Sequence, residues 1–213
     1  MKKTRLIKLF SAIGVVTTPI VVAVSCSGNE EFFKNSLTEE TKSQWMKDID
    51  LEKRTFTLDL SSFTQLKSIR VTKVNLAAFP FTHVVKTGEG DNAESTIYLL
   101  SVNKIIFPSN LEEIGPRTFH GGALETHITE LVFAPDSKLK TIGEFAFLNQ
   151  KIKSLTLPNS VENIGKQSFA FNEIETLVYN PTKGTIAEEA FWGNKIANKP
   201  TFSSEVKQGK NIF

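Results

Sequence analysis

An isoleucine and a phenylalanine return along this chain at a fixed distance, and that recurrence limits the fold more than any other feature. Ile142, Ile164 and Ile186 are spaced by 22 residues, and Phe147, Phe169 and Phe191 keep the same step. A whole unit reads Ile152-x-x-Leu155-x-Leu157-Pro158, then Val161-x-x-Ile164-Gly165, then Phe169. The next reads Ile174-x-x-Leu177-x-Tyr179-x-Pro181, then Ile186 and Phe191. Before it comes Ile128-x-x-Leu131-x-Phe133, Leu139-x-x-Ile142-Gly143 and Phe147, and before that Val102-x-x-Ile105-x-Phe107-Pro108, Leu111-x-x-Ile114-Gly115 and Phe119. The step from Phe119 to Phe147 is 28, which places the extra residues in a loop around Gly121, Gly122 and His127. A degenerate copy, Leu58-x-Leu60-x5-Leu66-x-x-Ile69, overlays Leu131 to Ile142 at a constant offset of 73. Periods of this length are the mark of stacked repeat architectures.

The spacing has direct physical consequences. The Ile/Leu-x-Leu/Phe alternation has period two, which makes a short strand with alternate residues buried. A strand that returns every 22 residues cannot hairpin onto its neighbour, so successive strands lie parallel along a coil. Pro158 and its equivalents end the strand, because proline offers no ladder donor. Gly165 and its equivalents are expected to permit a tight turn. Lys166 to Phe169 then forms one helical or 3₁₀ turn that drops Phe169 into the core. Asn149, Asn172 and Asn194 recur just before each strand, and buried amides there would bond backbone groups of the adjacent coil.

The expected fold is a solenoid of short parallel strands and short helical or 3₁₀ turns, α/β to mostly β. It occupies 55–213, with a hairpin insertion over about 75–101 and a C-terminal cap over about 196–213. Thr82 to Thr87 and Ser95 to Leu100 are the hairpin strands. Ser36-Leu37-Thr38-Glu39 reads as a capping box, so residues 36–54 are expected to hold an N-terminal capping helix that covers the first coil.

Charge and the single cysteine narrow the function. The chain carries a formal charge of +2, but Lys2, Lys3, Arg5 and Lys8 supply four of its 25 basic residues. The remainder is slightly acidic, which argues against nucleic acid as a partner. One cysteine excludes a disulfide framework and any multi-cysteine zinc site. After the basic start, Leu9 to Val24 is apolar, too short and too broken by Pro19 for a spanning helix. Residues 1–25 therefore read as a secretory signal. Ala23-Val24-Ser25-Cys26 resembles the lipobox of bacterial lipoproteins, with Ala23 where leucine is usual, a relaxed form like that of wall-less bacteria. That resemblance implies lipidation at Cys26, a tether over 26–35, and a place on the extracellular face of the cell membrane.

The repeats themselves resemble the leucine-rich repeats of BspA-like surface proteins, because strand core, proline, Ile-Gly and Ala-Phe recur together. Ala146-Phe147 and Ala190-Phe191 keep the final pair, whereas Thr118 and Ser168 replace that alanine. Ala187 stands where the glycine should be, which suggests a looser turn there. The resemblance implies a right-handed solenoid on a bacterial surface, adhesion to host or neighbouring cells, and no enzymatic activity.

The catalytic inventory is correspondingly thin. His83, His120 and His127 fit no His-Glu-x-x-His pattern, and no Gly-x-Ser-x-Gly elbow or phosphate-binding loop is present. His120 and His127 with Glu125 are weak candidates for a metal. No catalytic residue, metal or small-molecule cofactor is expected. Recognition is the better reading. The outward strand positions are Lys104 and Ile106, Glu130 and Val132, Ser154 and Thr156, Thr176 and Val178. The second member of each pair is β-branched, giving a row that suits a host or cell-surface protein or glycan, although β-branched residues also favour strands wherever they sit. Two rivals remain: a structural spacer of the surface without a dedicated partner, and an enzyme whose residues converge only in space.

Overall fold

The computed structural model describes residues 37, 38, 40–70, 81–88, 94–121 and 127–213. The expected signal, Cys26, the tether, Glu125 and residues 75–80 and 89–93 of the hairpin segment lie outside them. The described chain is mostly strand, with one helical turn, α1 (Lys42–Trp45). The strands are β1 (Met46–Asp50), β2 (Thr55–Asp59), β3 (Ser68–Ile69), β4 (Phe81–Thr87), β5 (Glu94–Ile106), β6 (Glu113–Ile114) and β7 (Glu130–Val132). They continue as β8 (Thr141–Ile142), β9 (Ser154–Thr156), β10 (Asn163–Ile164), β11 (Thr176–Val178), β12 (Gly184–Ile186) and β13 (Val206–Gln208).

Each repeat contributes two short strands rather than one. The Ile-Gly segments form a six-stranded ladder, β13-β12-β10-β8-β6-β3, in which every pairing is parallel. Ile69, Ile114, Ile142, Ile164 and Ile186 are successive Cα partners and all are buried. The degenerate copy thus stacks directly on the Val102 repeat. The first strands of the repeats form β2-β5-β7 and, separately, β9-β11, again parallel. The 13-residue β5 serves two sheets. Its first part pairs antiparallel with β4, from Glu94↔Thr87 to Leu100↔Phe81, and its second part joins the parallel ladder.

The capping helix expected over 36–54 is replaced by a strand. Ser36 and Glu39 of the capping box lie outside the described residues; among those described in this span only Lys42–Trp45 is helical, and β1 then pairs antiparallel with β2, Met46 opposite Leu58. The reason is that β2 would otherwise end the ladder with open backbone groups. A strand pairs with them, whereas a helix satisfies only its own. The C-terminal cap expected over 196–213 is also revised. β13 extends the six-stranded ladder and Phe213 stacks on Phe191, so these residues build one more layer.

Three columns hold the layers together. The first is a run of rings: Phe119–Phe147, Phe147–Phe169, Phe169–Phe191 and Phe191–Phe213 stack with centroids 5.2, 5.2, 5.6 and 5.8 Å apart. Such pairs contribute about 0.5–1.5 kcal/mol each beyond the area they bury.

The second is a column of amides. Asn172 accepts from Ile152 N–H at 3.2 Å and donates to the carbonyls of Phe147 and Phe169 at 2.8 and 3.1 Å. Asn194 repeats this one layer on, accepting from Ile174 N–H and donating to Phe169 and Phe191. In the earlier layer the role falls to Gln150, between Ile128 N–H and the Phe119 carbonyl, both at 2.7 Å, and not to Asn149. Asn149 is exposed with φ 57°.

The third column is of backbone. Arg117, Phe145, Gln167, Glu189 and Asn211, each two residues before a stacked ring, have φ between 50° and 57°. A left-handed residue there ends any helical succession, so the expected helical turn is an ordinary turn. Each such non-glycine residue costs about 1–2 kcal/mol that stacking must offset. At Gly165 the missing side chain serves close approach instead of turn geometry. A Cβ on Gly165 would lie 2.5 Å from Glu144 N and 2.6 Å from Gly143 C. The expected looser turn at Ala187 is not seen in its bond to Ile164 O, 2.9 Å against 2.8 Å for Gly165 to Ile142 O.

Phe169→Ala should lower stability by about 3–5 kcal/mol in a denaturant titration, because the ring is fully buried between two others. The neighbouring Ser168 is buried with no partner for its hydroxyl. Ser168→Ala should therefore hold or raise the melting temperature, by up to about 1–3 kcal/mol of stability, as Ala146 and Ala190 serve the adjacent layers. Thr118→Ala should lose stability, since that hydroxyl donates to Gly115 O at 2.9 Å.

Candidate functional site

The outward positions of the first strands come together in two registers. Lys104 faces Glu130 and Ile106 faces Val132 across β5 and β7. Ser154 faces Thr176 and Thr156 faces Val178 across β9 and β11. The Lys104 Nζ lies 2.9 Å from a Glu130 carboxylate oxygen. Pairing of side chains across the strands follows from the alternation, which sends Ile105, Leu131, Leu155 and Leu177 into the core.

Exposure differs along the row. Lys104, Ile106 and Val132 are half-buried, whereas Glu130, Ser154, Thr156, Thr176 and Val178 are exposed. Val178 is the most open apolar member, at 53%. On the other side Ile106 is opposite Asp59, whose carboxylate accepts from Ser61 N–H and Oγ. The apolar row therefore ends at β2 and is open toward β11.

Two exposed apolar groups escaped the sequence reading. Val84, Ile97 and Leu99 share one face of the β4–β5 ribbon, Val84 directly opposite Ile97. Phe171 and Trp192 meet edge to face on the turns after the buried rings, centroids 4.9 Å apart at 86°. The signal for the second group was in the columns. Counting by 22 aligns Phe171 with Asn149 and Gly193, and Trp192 with Leu148 and Ala170, so both are departures from what their neighbours carry.

Ion pairs also link neighbouring layers on the surface. Lys151–Glu173 and Lys166–Glu188 join adjacent layers at 3.0 and 2.9 Å. The hydrogen bond from Lys151 holds the Glu173 carboxyl below its ordinary pKa, and that from Lys166 does the same for Glu188. Burial, aided by the Arg117 charge, holds the half-buried His120 below the usual histidine range. His127 is exposed and His83 half-buried on β4. Among the described residues no group of three or more His, Cys, Asp or Glu is placed to hold a metal ion, and no helix is long and apolar enough to cross a membrane.

A family model described as a BspA type leucine rich repeat region matches residues 93–213 in six copies. Among solved structures, the chain is similar to the crystal structure of the pneumococcal vaccine antigen PcpA, at 19% identity and a TM-score of 0.47. That alignment covers 79% of this chain and 45% of PcpA, so the chain spans less than half the length of that protein. No curated protein matches.

The two sides of β11 should respond differently to substitution. Val178→Thr should shift stability by no more than about 0.5 kcal/mol, whereas Leu177→Ala should cost about 2–5 kcal/mol. Thermal melts of the two variants check this.

Proposed function

Since the chain belongs to the BspA-type leucine-rich repeat family, we propose that it is a non-catalytic binding protein displayed on a bacterial cell surface. In this reading residues 1–25 direct export, Cys26 is lipidated, and the protein is a lipoprotein of the wall-less-bacterium type on the extracellular face of the membrane. Several acyl chains on one residue give lasting attachment, at about 0.8 kcal/mol per buried methylene. The repeats wind as a solenoid and present the outward strand row to a host or cell-surface protein or glycan.

The observation that carries this reading is the pair of Thr156 and Val178, aligned as Cα partners and both open to solvent. An apolar side chain left outside a well-filled core adds nothing to burial. Residues that keep such a position aligned from layer to layer are suited to contact. The lining of the row by Ser154, Thr176 and Glu130 supplies polar partners without a strong net charge.

Adhesion of the purified protein to cultured host cells tests the proposal. Thr156→Lys with Val178→Lys should abolish binding while the melting temperature stays within a few degrees, because both positions are exposed. Unchanged adhesion would remove this face. A wild-type protein that binds no host cell and associates only with itself would favour the spacer instead. Export is checked separately: Cys26→Ser should release the chain into the medium and abolish incorporation of radiolabelled palmitate.

A further inference from the structure

Phe171 is strained and exposed at once. Its φ is 54°, in the left-handed region where Asn149 (57°) and Gly193 (74°) occupy the same place in adjacent layers. Asparagine and glycine tolerate that region, whereas a bulky aromatic is an outlier there. Yet the Phe171 side chain is not drawn into the core, since 47% of the residue remains exposed. Trp192 is 42% exposed, where Ala170 is buried in the preceding layer. Neither backbone preference nor burial accounts for two large rings at this corner.

The corner is nonetheless built. Phe171 N–H donates to the Trp192 carbonyl at 2.8 Å, and the rings lock edge to face. Gly193 leaves room for the phenyl group, because a Cβ there would lie 3.1 Å from its Cδ1. The ring pair returns no more stability than the left-handed backbone costs, and strain held at an exposed position by surrounding structure points to function.

Charge narrows what binds. The neighbouring carboxylates are already engaged: Glu173 by Lys151, Glu188 by Lys166, and Glu189 by the Gln167 amide. A cationic ligand gains little from carboxylates so paired. Two rings also offer far less than the roughly 800 Å² per side of a stable protein interface. A neutral ligand with an apolar C–H face and many hydroxyls fits both conditions. We infer that Phe171 and Trp192 form a carbohydrate-binding corner, stacking a sugar ring against the aromatic faces while the flanking Lys, Glu and Gln side chains meet its hydroxyls. This deepens the binding role proposed above and shares its premise, but places the glycan contact on the turns and not on the strand row.

A printed array of neutral and sialylated host-surface glycans, probed with the full chain in detergent, tests the assignment. Wild type should be retained on neutral glycans. Phe171→Asn should lower retention at least tenfold with the melting temperature equal or higher, since Asn149 holds that conformation one layer before. Trp192→Ala should do the same, and Ile97→Thr, an exposed change on the β4–β5 ribbon, should leave glycan retention intact. Absence of glycan retention by wild type, or equal retention by Phe171→Asn and Trp192→Ala, overturns the inference. If host-cell adhesion persists in either case and still depends on Thr156 and Val178, the strand-face reading stands alone.

Discussion

Every layer of this molecule depends on the layers beside it to satisfy its backbone. A chain that turns back after two- and three-residue strands leaves carbonyls and amides inside, where each unpaired group costs about 1–3 kcal/mol. Much of the debt is met by bonds from one layer to the next, such as Gly165 N–H to Ile142 O and Phe169 N–H to Ala190 O. The carbonyls of Phe119, Phe147, Phe169 and Phe191 are met by side-chain amides of Gln150, Asn172 and Asn194. The rings can therefore lie fully inside while their own backbone stays paired. A single repeat in water would have the rings exposed, the amides idle and the left-handed residues strained, so order has to arrive with neighbours.

That arrangement frees the outside. Because rings, isoleucines and amides define each layer, the outward strand positions and the turn residues can vary without disturbing the core. Both candidate contact regions use this freedom. The strand row is an outgrowth of regularity, since partner residues fall in line whenever the strands do. The Phe171–Trp192 corner is the opposite, a local break in two otherwise ordinary columns.

The ladders were legible because burial enforces the period. Ile142, Ile164 and Ile186 could be aligned from the sequence alone, as could the outward partners Thr156 and Val178. Spacing is the better guide where residue type and period disagree. Asn149 matches the amide column in residue type, but Gln150 holds the place 22 residues before Asn172. Phe213 lies 22 residues after Phe191 but was hidden behind Pro200 and a weakened strand motif. The helix expected after Ser36 rested on local capping chemistry, while the open edge of β2 required a strand. Gly165 showed its position but not its purpose, because close approach to Glu144 is a property of the stacked state. Exposure of Phe171 was likewise invisible to hydrophobicity alone.

Identical layers carry a hazard: one can settle on the wrong neighbour. The sign of charge alternates down two columns, Lys151, Glu173, Lys195 and Glu144, Lys166, Glu188, Lys210. Each exposed pair is weak by itself, about 0–1 kcal/mol. A misassembly that skipped one layer would bring Lys151 against Lys195 and Lys166 against Lys210, so attraction turns to repulsion in both columns together. The alternation works as a parity check, letting shape-matched layers tell the next one from the one after.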